Sequence, residues 1–247
     1  MKLSKRIIAL IVLMGLLLLT ACASNNADST KAVSQQSESL GRDFTVDMKT
    51  LDTSKYAEVI KKPINIVSPP QWVKTPVKAK ELYKNSTDIF MCTVENVSFV
   101  NVSGNPHTKI DVVINKSLKG DLWENDKVTV IQLGGYITLQ DQLEFFPNTR
   151  YDNMSKEEKE NTIIGERFAE DLYPEKREKF IYCTTKTTDF SKQPTYSLYS
   201  DYYCRFKLND KGKYERNYFV QERKDSVLDS DGGISEQEFE QELDKLK

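Results

Sequence analysis

The stretch from Ile89 to Gly135 constrains the fold more than any other. Ile89 to Val100 alternates apolar with polar residues, the period of a half-buried strand. Val102-Ser103-Gly104-Asn105-Pro106 has turn chemistry, because Ser, Gly, Asn and Pro each favour a turn conformation. Thr108 to Leu118 alternates again and puts Ile110, Val112 and Ile114 on one face. Lys119-Gly120-Asp121 turns the chain a second time, and Lys127 to Leu133 is a third predicted strand, ending at Gly134-Gly135. Turns this short join antiparallel neighbours, whereas a parallel crossover needs a dozen residues or more. The expected centre of the fold is a β-meander, not a βαβ unit. Gly134-Gly135 reads as a strand end or bulge, not as a phosphate-binding loop.

Helical signals flank this centre. Val77 to Lys84 has helical spacing behind Pro76, and proline suits a first helical turn. Past Gln140 the periodicity stops, so residues 140–174 read as a surface insertion. Within it Ser155-Lys156-Glu157-Glu158 fits a capping box, with Ser155 as the cap. Strand signals return at Lys179–Thr185, Tyr202–Leu208 and Tyr214–Gln221, and Asn209–Lys213 joins the last two as a hairpin turn. In Tyr202–Leu208 alternation sends Tyr202, Cys204, Phe206 and Leu208 to the core and Tyr203, Arg205 and Lys207 to the other face. Residues 234–247 predict a closing helix with Phe239 and Leu243 as its apolar stripe and Ser235…Glu238 as a second capping box.

The N-terminus speaks about location. Lys2, Lys5 and Arg6 precede an apolar run from Ile7 to Leu19, followed by Thr20, Ala21 and Cys22. The run is short for a bilayer span. A basic head, a short apolar core and a small-residue site describe an export signal. Leu19-Thr20-Ala21-Cys22 resembles the lipobox of bacterial lipoproteins. That resemblance implies removal of residues 1–21 and lipidation of Cys22 by acyl chains such as palmitate. The first 21 residues hold three bases and no acids, so the remainder carries 32 Lys and Arg against 37 Asp and Glu. An acidic chain disfavours nucleic acid and polybasic adhesion to anionic lipid. Membrane attachment is therefore expected through the lipid on Cys22, which anchors stably when more than one chain is attached. Residues 22–43 are mostly Ser, Asn, Gln, Asp and Ala with little to bury, and read as a flexible tether. Residues 44–247 then form a single β-rich domain on the extracytoplasmic face of the cell membrane.

Glu81-Leu82, Ser86-Thr87-Asp88-Ile89-Phe90, Lys116-Ser117-Leu118-Lys119-Gly120-Asp121, Val130, Gly134-Gly135, Gly165-Glu166 and Glu178-Lys179-Phe180-Ile181-Tyr182 fall in one spacing. This spacing resembles a set of uncharacterised lipoproteins from Gram-positive bacteria and covers roughly Pro76 to Leu208. The resemblance implies an OB-type or netrin-like barrel. The expected fold is thus mainly β: an OB-like antiparallel barrel, with a helix before its first strand and a helix at the C-terminus. Cys92 and the length of the 140–173 region depart from the pattern.

Candidate chemistry is sparse. His107 is the one histidine and follows a hairpin tip, where side chains are normally solvated. A Cys92–His107 dyad would need the two residues together, but the hairpin puts His107 beside Val100 and Cys92 about 20 Å away. No HExxH helix, Gly-x-Ser-x-Gly elbow or phosphate-binding loop occurs. If Lys179–Thr185 and Tyr202–Leu208 pair symmetrically, Cys183 falls opposite Cys204. The pair is then either a disulfide or two buried thiols.

Asp229, Asp231, Gly233, Ser235 and Glu238 match positions three, five, seven, nine and twelve of a calcium loop, with Gly232 at the tight turn. Val227 replaces the first ligand. A weak calcium site and a capped helix after an Asp/Gly turn both fit, and the missing ligand favours the helix; no other cofactor is expected. Trp72 lies in a proline-punctuated extended segment and is either a buried lid residue or part of a binding loop. Tyr196, Tyr199 and Tyr203 are the candidates for an exposed aromatic platform that stacks on a ligand.

The expected function is a membrane-anchored, non-enzymatic binding module for a protein, peptide or glycan at the cell surface. An extracytoplasmic enzyme with a site of scattered carboxylates is one alternative. A solute receptor is the other, disfavoured because the meander lacks alternating α/β order.

Overall fold

Alternation and turn chemistry decide most of the elements. The structure, a computed structural model, describes residues 48–67, 78–167, 173–190, 194–198, 204–216, 228 and 232–247. Strands β1 (Lys49–Thr50) and β2 (Ile64–Val67) precede helix α1 (Ala79–Asn85). The long strands β3 (Asp88–Val102) and β4 (Asn105–Lys119) follow, then β5 (Lys127–Leu133) and β6 (Gly135–Thr138). Helices α2 (Leu139–Phe145) and α3 (Lys156–Asn161) lead to β7 (Ile163–Arg167). The chain continues through β8 (Lys179–Thr187), β9 (Thr195–Leu198), β10 (Arg205–Leu208) and β11 (Tyr214–Glu215) to helix α4 (Glu236–Asp244).

The β3–β4 hairpin closes through Ser103 and Gly104, both at positive φ (51° and 81°), as a two-residue turn that follows the strand twist requires. Asn101 Oδ1 fixes the turn by accepting from Gly104 N at 2.7 Å. At the next turn Gly120 has φ +97°, and a Cβ there would collide with the Asp88 carboxylate. Only glycine fits.

The large sheet runs β1-β3-β4-β5-β9-β8-β10-β11, and β8 also pairs with β3. Five strands therefore pair in a circuit: β3 to β4, β4 to β5, β5 to β9, β9 to β8 and β8 back to β3. The β5–β9 pairing is parallel and the other four are antiparallel. Register shifts in β3 near Ile89, Met91 and Val94 bend that strand, since a bulge adds local twist. A bent β3 can hold β4 along one edge while β1 and β8 share the other.

Where β3 begins, Ile89-Phe90-Met91-Cys92 is a continuous apolar run, and every one of these residues is buried. Such a run belongs to a strand covered on both faces. Phe90 meets Tyr182 and Tyr196 edge-on at 6.2 and 6.0 Å, and Tyr182 stacks on Phe180 at 5.2 Å. Each fully buried aromatic of this kind contributes about 1.5–3 kcal/mol of transfer free energy. Ile110, Val112 and Ile114 share this core, as their spacing requires. Helix α4 docks with Phe239 against Phe206 at 5.1 Å. Its capping box between Ser235 and Glu238 is complete, as is the one between Ser155 and Glu158 on α3. Helix α1 ends under Lys119, whose Nζ donates to the carbonyls of Tyr83 (2.5 Å) and Ser86 (2.6 Å), groups that a helix end leaves without partners.

Two expectations about this part of the fold need correction. The 140–174 region is more than a surface insertion: β7 pairs in parallel with β2 and antiparallel with β6, forming a separate three-stranded sheet. Ile137, Leu139 and Ile164 make a small core there, with Leu143, Tyr151 and Met154 against it. His107 is also buried, not solvated. It does pair with Val100 as expected, but Gly135 lies against its carbonyl and the Phe190 ring stands 5.8 Å from its own. Both neighbours come from elsewhere in the chain. No helix among the described residues is long and apolar enough to cross a membrane.

Candidate functional site

The segment after β1 carries the two concave surfaces of interest. Lys49 and Thr50 pair with Asn101 and Val100 on β3, and Leu51 N donates to Phe99 O at 2.8 Å. The chain then turns. Asp52 Oδ1 accepts from Ser54 N and Oγ at 3.1 and 2.6 Å, which holds the Asp52 carboxyl below the usual carboxylate range, the Ser54 hydroxyl contributing most. Tyr56 O accepts from Ile60 N at 2.9 Å, so residues 56–60 complete one helical turn. Tyr56 is buried beside Leu51, Tyr136 and Ile163.

On one flank lies a polar cleft of about 450 Å³. Its floor is Asp141 at the start of α2. Thr138 caps that helix by accepting from Asp141 N at 3.0 Å, which leaves the Asp141 carboxylate to bond elsewhere. It receives Lys49 Nζ at 2.6 Å. The Asp141 side chain is 6% exposed and the Lys49 side chain 68%. This hydrogen bond is the main cause that raises the Lys49 ammonium above its ordinary value. Lys55, Lys156, Glu144 and Glu160 also line the cleft, with Tyr56 and Leu51 as apolar wall. The Lys55 ammonium stands 4.9 Å over the Tyr56 ring.

A second, more apolar groove of about 530 Å³ is lined by Ala57, Ile60, Val97, Phe99, Tyr173 and Pro174 among others. Behind it Phe99, Tyr136 and Tyr173 meet edge to face at 4.8, 5.1 and 5.3 Å. Tyr173 OH donates to Glu166 O at 2.6 Å and so ties the groove wall to β7.

The residues singled out from sequence fall elsewhere. Cys22, Trp72, Tyr199, Tyr203, Asp229 and Asp231 lie outside the described residues. Tyr196 was expected on an exposed platform and is buried instead. It stands on β9 between β5 and β8, opposite Val130 and Lys186, and its ring packs on Phe90. Of the calcium-loop candidates, Gly233 has φ +87° in a tight turn. Ser235 and Glu238 bond to each other: Glu238 Oε2 accepts from Ser235 N at 2.8 Å and from Ser235 Oγ at 2.7 Å. Among the described residues no group of three His, Cys, Asp or Glu side chains gathers as a metal site.

The β8–β10 register pairs Arg205 with Tyr182, and one further step brings Cys204 opposite Cys183. Both are buried thiols in the structure, not a disulfide. Burial pushes the Cys183 thiol up to about 12, so little thiolate is present to start an oxidation. Cys92 is likewise buried and pairs with Ile114 and Phe180, far along the sheet from His107.

The sequence reading missed Lys49, Tyr56, Asp141, Phe99 and Tyr173. Thr138-x-x-Asp141 is a visible cap signal, but it does not reveal a partner 92 residues away. Compared with known proteins, the chain matches no family model, no curated protein and no solved structure.

Proposed function

We propose that this chain is a lipid-anchored lipoprotein on the extracytoplasmic face of the membrane, and that its β domain is an OB-like barrel serving as a binding module. The anchor reading rests on the basic head, the apolar run and the Leu19-Thr20-Ala21-Cys22 box. The barrel reading is supported by the pairing circuit of β3, β4, β5, β9 and β8, with its one parallel contact between β5 and β9. OB folds are five-stranded barrels that bind ligands along one side and in their loops.

The observation that carries the binding reading is the polar cleft. Its volume, about 450 Å³, lies in the range of small-molecule sites, and seven charged side chains line it beside the apolar wall of Leu51 and Tyr56. One wall is held by the β1–β3 ladder and the other by a capped helix, so the site is formed before any ligand arrives.

A thermal-shift screen of the full chain in detergent tests this. The panel contains free amino acids, short peptides and oligosaccharides. At least one class raises the melting temperature as its concentration passes the dissociation constant, and the charge reversal Lys156→Glu on the rim weakens the effect. No shift with any class overturns the binding reading.

A further inference from the structure

We propose that the polar cleft takes a short zwitterionic peptide, with the terminal ammonium on Asp141 and the terminal carboxylate between Lys55 and Lys156. This deepens the binding-module reading and rests on it.

The Asp141 side chain is almost wholly removed from solvent. One of its oxygens holds Lys49 Nζ, and the other accepts no hydrogen bond among the described residues. A carboxylate has about four acceptor sites, and this oxygen is still reached by solvent. The spare oxygen belongs to a residue that lines the cleft, so a donor arriving through the cleft can reach it. A cationic donor gains most there, because charge-assisted hydrogen bonds are the stronger ones.

The rim supplies the opposite charge. Lys156 is 78% exposed and reaches Glu160 only at 3.6 Å, a distance too long for a firm hydrogen bond. Lys55 rests over the Tyr56 ring. Both ammonium groups can turn toward an anion at little cost.

The charge count then selects the ligand class. Lys49, Lys55 and Lys156 face Asp52, Asp141, Glu144 and Glu160 around one cavity. A polyanion would meet four carboxylates and a polycation three ammonium groups. A zwitterion satisfies both sets, and Leu51 and Tyr56 offer apolar surface for a peptide side chain.

Isothermal titration of the full chain in detergent with alanyl-alanine, its N-acetyl form and its C-terminal amide tests the assignment. The unmodified dipeptide binds. Acetylation and amidation each weaken binding on the order of tenfold or more, the cost of one charge-assisted contact. Asp141→Asn weakens alanyl-alanine comparably while the circular dichroism spectrum stays native. The ligand-side changes do not touch the fold, so they decide the matter even if the variant unfolds. Equal binding of the N-acetyl peptide overturns the proposal. If the dipeptide does not bind but an oligosaccharide shifts the melting temperature in a Lys156-dependent way, the zwitterion assignment falls and the binding-module reading stands. If nothing binds, both fall.

Discussion

Lys49 and Asp141, 92 residues apart in sequence, meet at 2.6 Å and join β1 to the first turn of α2. The contact is asymmetric: an ammonium mostly in solvent is bonded to a carboxylate almost wholly out of it. Loss of the lysine leaves a buried charge unpaired, whereas loss of the carboxylate leaves only a solvated ammonium. Lys49→Met is therefore expected to cost about 1–3 kcal/mol in urea unfolding, more than Asp141→Asn. A double-mutant cycle should recover most of that cost as coupling, because the buried charge that the lysine leaves unpaired is absent in Asp141→Asn. Additive effects would show that the two side chains do not interact in solution.

His107 provides a pH signature, because it is the one histidine of the chain. Burial favours the neutral ring and lowers the His107 value below 6.5, although the hydrogen bond from Nδ1–H to Asn105 O opposes the shift. The unfolded chain thus takes up the proton first. Stability is full above pH 6.5 and declines as pH falls below that value, until the folded ring itself protonates. The slope is at most about 1.4 kcal/mol per pH unit. His107→Gln should flatten the decline below pH 6.5. A proton NMR titration placing His107 in the folded chain at or above 6.5 would contradict the burial.

How much of this was legible in the sequence depends on how local the cause is. Lys127–Leu133 could be delimited from alternation alone, and the pairing of Val100 with His107 followed from the turn at Ser103-Gly104. Both rest on neighbours along the chain. The burial of His107 rests on Gly135 and Phe190, and that of Tyr196 on Val130 and Phe90, none of which alternation can reveal. Arg205 is a similar case. Its spacing assigned it to an outer face, yet it is buried and its Nη1 donates to Gln132 Oε1 at 2.7 Å. The β2–β7 pairing was illegible for a further reason: it is parallel and joins residues about a hundred positions apart, with no turn between them to announce it. The cleft inherits this difficulty, since its walls come from β1, the turn after it, α2 and α3.

The C-terminal helix separates two chemistries for Glu238. In the structure its carboxylate serves the Ser235 cap, and the Ser235 hydroxyl and backbone N–H hold the Glu238 carboxyl below its ordinary range. On this account calcium leaves the melting temperature unchanged and Glu238→Gln is mild, because Gln also completes a capping box. Ser235→Ala, which removes the cap itself, should cost about 1 kcal/mol. The stabilisation by the Glu238 carboxylate is present above its ordinary value of 4.5 and fades as pH falls through its lower folded value. A calcium-dependent rise in melting temperature that disappears in Glu238→Gln would show that a calcium loop is present.

The most direct measurement of the whole account is membrane fractionation of the wild-type chain beside Cys22→Ser. The wild type should sediment with membranes and partition into detergent. Cys22→Ser should appear in the medium or retain its first 21 residues uncleaved, because the thiol that would carry the lipid is gone. A correctly processed Cys22→Ser protein that still fractionates with membranes like the wild type would contradict lipid anchoring at this residue.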